Sequence, residues 1–263
     1  MDISQVSGTA VLLLICRAVE AEKDKTQFND PMAIICLDRL LSIASEEDKR
    51  WILAKKRMYT GLHERDAKAG VRKGKVFDTL ANRFIADNPG RTVVDLACGF
   101  DTRYWRIENN QCKYIDVDLP EVITLKQELL KDHLDYELMG CSVLDTSWMD
   151  GITSNGNTGF LLLADGLFMW LLEKDATRLL QEIALRFDHS QLIIEMVPEK
   201  YTKGLWQRFL RFHSKLEWGL DVAWVFGIKK PEDLEVYGNR LKVIGVERGS
   251  VGPIITVSIN ATK

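Results

Sequence analysis

Thr92-Val93-Val94-Asp95-Leu96-Ala97-Cys98-Gly99-Phe100-Asp101, followed by Lys113-Tyr114-Ile115-Asp116-Val117-Asp118-Leu119-Pro120, decides the fold. The first five residues are a short apolar strand that opens into a glycine-containing loop. The second segment is another strand, Lys113 to Val117, that ends on Asp118 ahead of a proline-started helix, Glu121 to Lys131. Two such strands with no hairpin turn between them are parallel neighbours.

Strand and helix continue to alternate downstream. Tyr136 to Val143 reads as a weaker third strand and Gly159 to Ala164 as a fourth, followed by a helix from Glu173 to Phe187; Gln191 to Met196 is a fifth strand. This alternation predicts a doubly wound, mostly parallel α/β sheet covered on both faces. The rhythm breaks at Arg240 to Glu247 and Ile254 to Ile259. The link between them is too short for a crossover helix, so these two strands form an antiparallel hairpin. The expectation is a seven-stranded sheet ending in that hairpin, the sheet of class I S-adenosylmethionine (AdoMet) methyltransferases.

Upstream, the first ninety residues read as a helical segment. Asp30-Pro31 is a start signal, Glu46 to Ala69 reads as one charged helix, and Val76 to Phe84 keeps helical spacing until Asn88-Pro89-Gly90. A helical cap over 1–90, an AdoMet-binding unit over 91–263 and a helical lid around 199–238 are the expected divisions. Thr153 to Thr158 reads as a flexible loop.

Composition narrows the function. The chain has 263 residues with 35 basic and 38 acidic side chains, so its formal charge of −3 argues against nucleic acid as a partner. The longest apolar run, Ala10 to Cys16, is far short of the ~20 residues that span a bilayer, and no secretory leader is legible. No membrane partner is expected, and the cytoplasm is the default location. The five cysteines, Cys16, Cys36, Cys98, Cys112 and Cys141, fit neither a disulfide framework nor a zinc interval, so no metal is expected.

Asp118 follows Gly99 by 19 residues, the interval at which a strand-end acid reaches the two hydroxyls of a bound ribose. Ala97 and Thr102 break the GxGxxG pattern, which favours AdoMet over NAD because AdoMet carries no pyrophosphate. Asp118 also suits plain helix capping.

These stretches resemble the leucine carboxyl methyltransferase family, including its tetracenomycin-type polyketide O-methyltransferase branch. The likeness rests on DLACGFDTRYWRI and YIDVDLPEVITLK, on the N-terminal VSGTAVLLLICRAVEAEKDKTQFNDPMA, on ADGLFMWLLEKD and on FGIKKPEDLEVYG. It implies AdoMet as cofactor and S-adenosylhomocysteine as product. By position, Asp118 would bind ribose, Gly99 and Ala97 would line the methionine portion, and Ser142, Val143 and Asp145 would meet adenine. Asp165 would face the amino group, and Arg72 or Lys73 the carboxylate, a bidentate grip or a point charge respectively. Ala97 replaces a usual glycine, Ser142-Val143 a usual Asp-Leu, and Asp165 a usual Glu.

The acceptor is harder to read. His63 and His213 are weak base candidates, while His133 and His189 suit the surface. Tyr59, Trp170, Trp206, Trp218 and Trp224 are candidates for a ring-lined pocket for a small molecule. Phe209 and Phe212, three apart, suit a buried stripe. The expected reaction is O-methylation of a small-molecule carboxylate or hydroxyl. Methyl esterification of a protein C-terminal carboxylate, a silent AdoMet-binding protein and an NAD oxidoreductase are the alternatives. Nothing in the sequence fixes the oligomeric state.

Overall fold

The computed structural model describes residues 8–23, 28–153 and 159–260, with the Trp218 side chain left outside that description. The loop expected over 153–158 therefore lies outside the described residues from 154 onward.

Seven strands form one sheet: β1 (Thr92–Leu96), β2 (Lys113–Asp118), β3 (Glu137–Gly140), β4 (Phe160–Ala164), β5 (Ser190–Glu195), β6 (Leu241–Arg248) and β7 (Pro253–Ile259). Their spatial order is β3-β2-β1-β4-β5-β7-β6. Strands β1 to β5 pair in parallel, whereas β7 runs antiparallel to both β5 and β6. The expected hairpin is therefore present, with β7 placed inside the sheet and β6 at its edge. Strand order reverses between β1 and β4, the switch point at whose carboxyl ends ligands of open α/β sheets bind in a crevice.

Period-two alternation sends alternate strand residues into two apolar layers. Val94, Leu96, Leu162, Ala164, Leu192 and Ile194 pack beneath α7 (Glu173–Arg186), with Trp148 and Met149 of α6 (Ser147–Thr153). Val93, Leu161, Leu163 and Ile193 face Phe77, Leu80, Ala81 and Phe84 of α4 (Glu64–Asp87). These α4 positions fall three or four apart, so one stripe of the helix meets the sheet.

The N-terminal helices build a third core. Helix α1 (Gly8–Ala21) packs with α2 (Pro31–Ile43) and α3 (Glu46–Thr60), and shares its core with Phe100 and with Val122, Leu125, Leu129 and Leu130 of α5 (Pro120–Leu130). Asp30 caps α2 as the sequence predicts, its carboxylate accepting from the Ala33 N–H at 3.0 Å, with Pro31 at the first turn.

One expectation fails here. Glu46 to Ala69 is two helices, because the chain turns over at Gly61-Leu62-His63 before α4 begins. The 199–238 stretch contains a single α-helix, α8 (Gly204–Trp218), flanked by short 3₁₀ turns.

Candidate active site: a strand-end crevice held by a buried charge network

The loop after β1 is shaped by two left-handed residues, Ala97 at φ 54° and Gly99 at φ 53°. The Ala97 N–H stays on the sheet by donating to the Val117 carbonyl at 2.7 Å. The Gly99 N–H donates to Asp118 Oδ2 at 2.6 Å, and the Leu119 N–H donates to Oδ1 at 2.7 Å. Asp118 is buried, which raises its pKa against the lowering effect of those two N–H groups. Both its oxygens are anchored, and each keeps a lone pair for a further donor.

Gly99 serves a neighbour of its own chain. A Cβ there would lie 3.0 Å from the Ala10 Cβ, so the absent side chain leaves room for α1 to close over the loop. Arg17 reinforces that contact by donating to the Phe100 carbonyl at 2.7 Å.

At the end of β3 the Cys141 N–H donates to the Asp118 backbone carbonyl at 2.8 Å, bringing Ser142 and Val143 beside the same crevice. Val143 is buried, and its carbonyl accepts from the Trp148 indole N–H at 3.1 Å. Asp145 is exposed and accepts from the Ser147 N–H at 3.2 Å, which lowers its pKa.

The Arg72/Lys73 alternative separates cleanly in space. Arg72 is exposed, whereas Lys73 is buried, with its ammonium 2.5 Å from Asp165 Oδ1 and 3.3 Å from Glu195 Oε2. Burial opposes the charge on Lys73, and the two carboxylates, Asp165 foremost, more than restore it, so its pKa is raised. Burial likewise raises Asp165, but the Lys73 and Arg103 charges prevail and hold it low. Asp165 Oδ1 faces this ammonium yet accepts no well-aligned hydrogen bond, which leaves acceptor capacity for another donor.

Sequence reasoning missed the hub of the site. Arg103 is fully buried and meets four carboxylates: Asp95 at 2.6 Å, Asp101 at 2.9 Å, and Asp78 and Asp165 at 3.0 Å. Arg106 adds Asp78, Asp30 and Asp101 at 2.8, 2.9 and 3.0 Å. Lys126, also buried, pairs with Asp116 at 2.6 Å. These groups fasten α2, α4, β1, β2 and the end of β4 to one loop. The sequence singles out only Asp30, as a helix start, and Asp165, as a site acid, among them, and neither for this pairing.

The candidate ring wall divides. Trp170 and Trp224 meet edge to face at 6.4 Å, with Tyr201 between Trp224 and Trp206 at 6.4 and 6.0 Å. Tyr59 belongs to the N-terminal core, where its hydroxyl meets the Cys16 thiol; burial pushes that thiol up to about 12. Trp206 is more than half exposed, and the Trp218 side chain lies outside the described residues. Phe209 and Phe212 are exposed, not a buried stripe, because their face of α8 turns away from the protein.

The histidines do not join the crevice. His63 pairs with Asp66 at the start of α4, His213 with Glu217 on α8, and His189 with Asp188; His133 is exposed. Among the described residues no group of three or more His, Cys, Asp or Glu could hold a metal, and no helix is long and apolar enough to cross a membrane.

Comparison with known proteins agrees with the fold. The solved magnesium protoporphyrin IX methyltransferase of Synechocystis PCC 6803 with bound SAH superposes with a TM-score of 0.54 at 15% identity, covering 88% of this chain and 100% of that one. An O-methyltransferase family protein of Burkholderia thailandensis gives 0.52 at 12% identity over 92% and 75%. Both share the class I methyltransferase fold. The chain is 29% identical over 164 residues to the tetracenomycin polyketide synthesis O-methyltransferase TcmP of Streptomyces glaucescens, covering 62% of this chain and 58% of that protein. It is 23% identical over 189 residues to the S-adenosyl-L-methionine-dependent methyltransferase dpfgK of Gibberella zeae, covering 69% and 61%. The matched stretch thus spans less than two thirds of either relative. The leucine carboxyl methyltransferase pattern matches residues 10–184, and the chain belongs to that family.

Proposed function

We propose that the chain binds AdoMet in the crevice between β1 and β4 and methylates an oxygen of a small-molecule acceptor. The observation that carries this reading is Asp118, a buried strand-end carboxylate fixed by two backbone N–H groups beside a left-handed loop. The residues present fit the cofactor. Asp118 would take the ribose hydroxyls, and the free acceptor capacity of Asp165 Oδ1 suits an ammonium group. Of Arg72 and Lys73, Lys73 is the buried one and suits the carboxylate. AdoMet supplies, when bound, a sulfonium-activated methyl group open to in-line displacement.

The task left to the protein is alignment and exclusion of water. Among the described residues no histidine is hydrogen-bonded to a crevice residue, and Asp165 is a poor base because Lys73 and Arg103 hold its pKa down. The acceptor therefore arrives already ionised, as a carboxylate or an acidic hydroxyl. Trp170, Trp224 and Tyr201 suit an aromatic or otherwise apolar body behind that oxygen.

Titration calorimetry with AdoMet tests the binding half. Asp118→Ala is expected to lose more than tenfold in affinity, about 1.4 kcal/mol, and retention within that limit removes the ribose assignment. Transfer of labelled methyl to a panel of carboxylic acids and phenols tests the chemical half; binding without any transfer leaves a passive binder.

A further inference from the structure

Helix α8 is inside out. Its large apolar side chains are exposed beside its basic ones: Leu205 is 81% exposed, Trp206 and Phe209 are each 56%, Phe212 is 66% and Leu216 is 74%. Positions 205, 209, 212 and 216 fall four, three and four apart and so form one stripe along the helix. The opposite face, turned toward the protein, includes Gln207, which donates to the Trp224 carbonyl at 2.8 Å, and the buried Ser214. Left-handed glycines bound the helix at both ends, Gly204 at φ 62° and Gly219 at φ 75°. An apolar stripe this continuous on a surface marks an interaction site.

The edge of the stripe identifies what it meets. Arg208, Arg211 and Lys215, again at helical spacing, line one flank. Arg211 and Lys215 share Asp221 at 2.5 and 3.8 Å, so the three cations face one carboxylate, and Arg208 makes no ion pair among the described residues. At the N-terminal end of the helix, Lys200, Lys203 and Lys229 border a groove of about 450 Å³ with Pro198, Glu199 and Ile228. Glu199 neutralises part of this charge through Lys203. Two α8 stripes packed together would set Arg208 and Lys215 of one copy against the same cations of the other, so charge disfavours self-association. A basic-flanked helix with Trp, Phe and Leu on its apolar side matches the interfacial helices that lie in the plane of a bilayer.

We propose that α8 docks the protein on an anionic lipid surface, the Leu205-Phe209-Phe212-Leu216 stripe entering the headgroup boundary and the lysine groove facing lipid phosphates. The whole chain carries a formal charge of −3, so docking rests on the local patch and weakens with salt, whose screening length is ~10 Å at 0.1 M. This inference does not depend on methyl transfer.

Co-sedimentation of the full chain with vesicles tests it, comparing phosphatidylcholine alone with phosphatidylcholine containing phosphatidylglycerol. The expected result is retention on the anionic vesicles only, reversed by high salt. A tryptophan blue shift is expected on binding, and it should shrink in Trp206→Phe. Phe209→Asp/Phe212→Asp and Arg208→Glu/Lys215→Glu each lose at least tenfold in partitioning. Their thermal transitions stay at the wild-type temperature, since all four side chains are on the surface. No retention on anionic vesicles overturns the proposal, as does equal retention on neutral ones. A concentration-dependent dimer abolished by Phe209→Asp/Phe212→Asp, without vesicle binding, overturns it in favour of a second copy of the chain.

Discussion

Ala97 carries a Cβ in left-handed backbone at φ 54°. An L-residue with a side chain loses roughly 1–2 kcal/mol there, part of which glycine would return as unfolded-state entropy. Ala97→Gly is therefore expected to raise stability by about 0.5–1 kcal/mol, read as a higher urea midpoint at unchanged slope. Gly99→Ala has the opposite sign, because it adds left-handed strain and presses on Ala10. Asp95 offers a second test. Burial lifts its pKa to about 7 even though Arg103 lies beside it. Between pH ~4 and ~7 the folded chain then holds more protons at this site than the unfolded chain, so its contribution to stability declines as pH rises through that window and levels off above it. Asp165 and Asp101 act the other way: their lowered values stabilise the fold above pH ~4, an effect lost on acidification. Asp95→Asn should remove the decline between pH 4 and 7, and an unaltered profile would assign that slope to other groups. Of these residues the sequence marked Asp118, Asp165 and the Arg72/Lys73 pair. Which of the pair turns inward depends on the phase of α4 against the sheet, and a register uncertain by one residue could not settle it.

Among the elements, α4 does two jobs with neighbouring turns. Phe77 is fully buried against the sheet, and the Arg103 guanidinium lies 5.2 Å above its ring. Asp78, the next residue, accepts from Arg103 and Arg106. Phe77→Ala is expected to lower stability by ~3–5 kcal/mol and to weaken cofactor affinity with it, since the same turn orients the hub. Arg103→Ala should be worse than its geometry alone suggests, because it strips buried Asp95 of its cation and leaves Asp78, Asp101 and Asp165 to Arg106 and Lys73 alone. Loss of the thermal transition, or of expression as a folded protein, is the expected readout; a variant as stable as wild type would remove the hub. The elements themselves were largely legible from periodicity, as β1, β2, β4, β7, α5 and α7 fall within a residue or two of their expected limits. The α3–α4 break was not, because the helical pattern continues across Gly61 while the backbone does not. Nor was the orientation of α8: spacing locates an apolar stripe but not the side of the helix from which the protein approaches.

For the whole molecule, an acceptor that arrives already ionised, as proposed above, would make the rate law follow the acceptor. With a carboxylic acid of pKa ~4 the transfer rate should be flat from pH 6 to 9, and with a phenol of pKa ~10 it should climb about tenfold per pH unit. A bell-shaped profile with a limb near ~6.5 would point to a histidine that comes in only with substrate. The fold class was readable because a parallel sheet with one antiparallel hairpin follows from loop lengths alone. The charge network was not, since Asp30, Asp78 and Asp165 are brought to Arg103 and Arg106 by tertiary packing from separate segments. The position of β7 has a consequence for making the protein. It is threaded between β5 and β6, so a chain interrupted before Pro253 is missing an inner plank, not an outer one. The bare flank of β5, rich in Leu192, Ile193 and Ile194, would then be open to strands of other molecules. Nascent or clipped forms of the protein should accordingly clump, long before the crevice at the far ends of β1 and β4 is damaged.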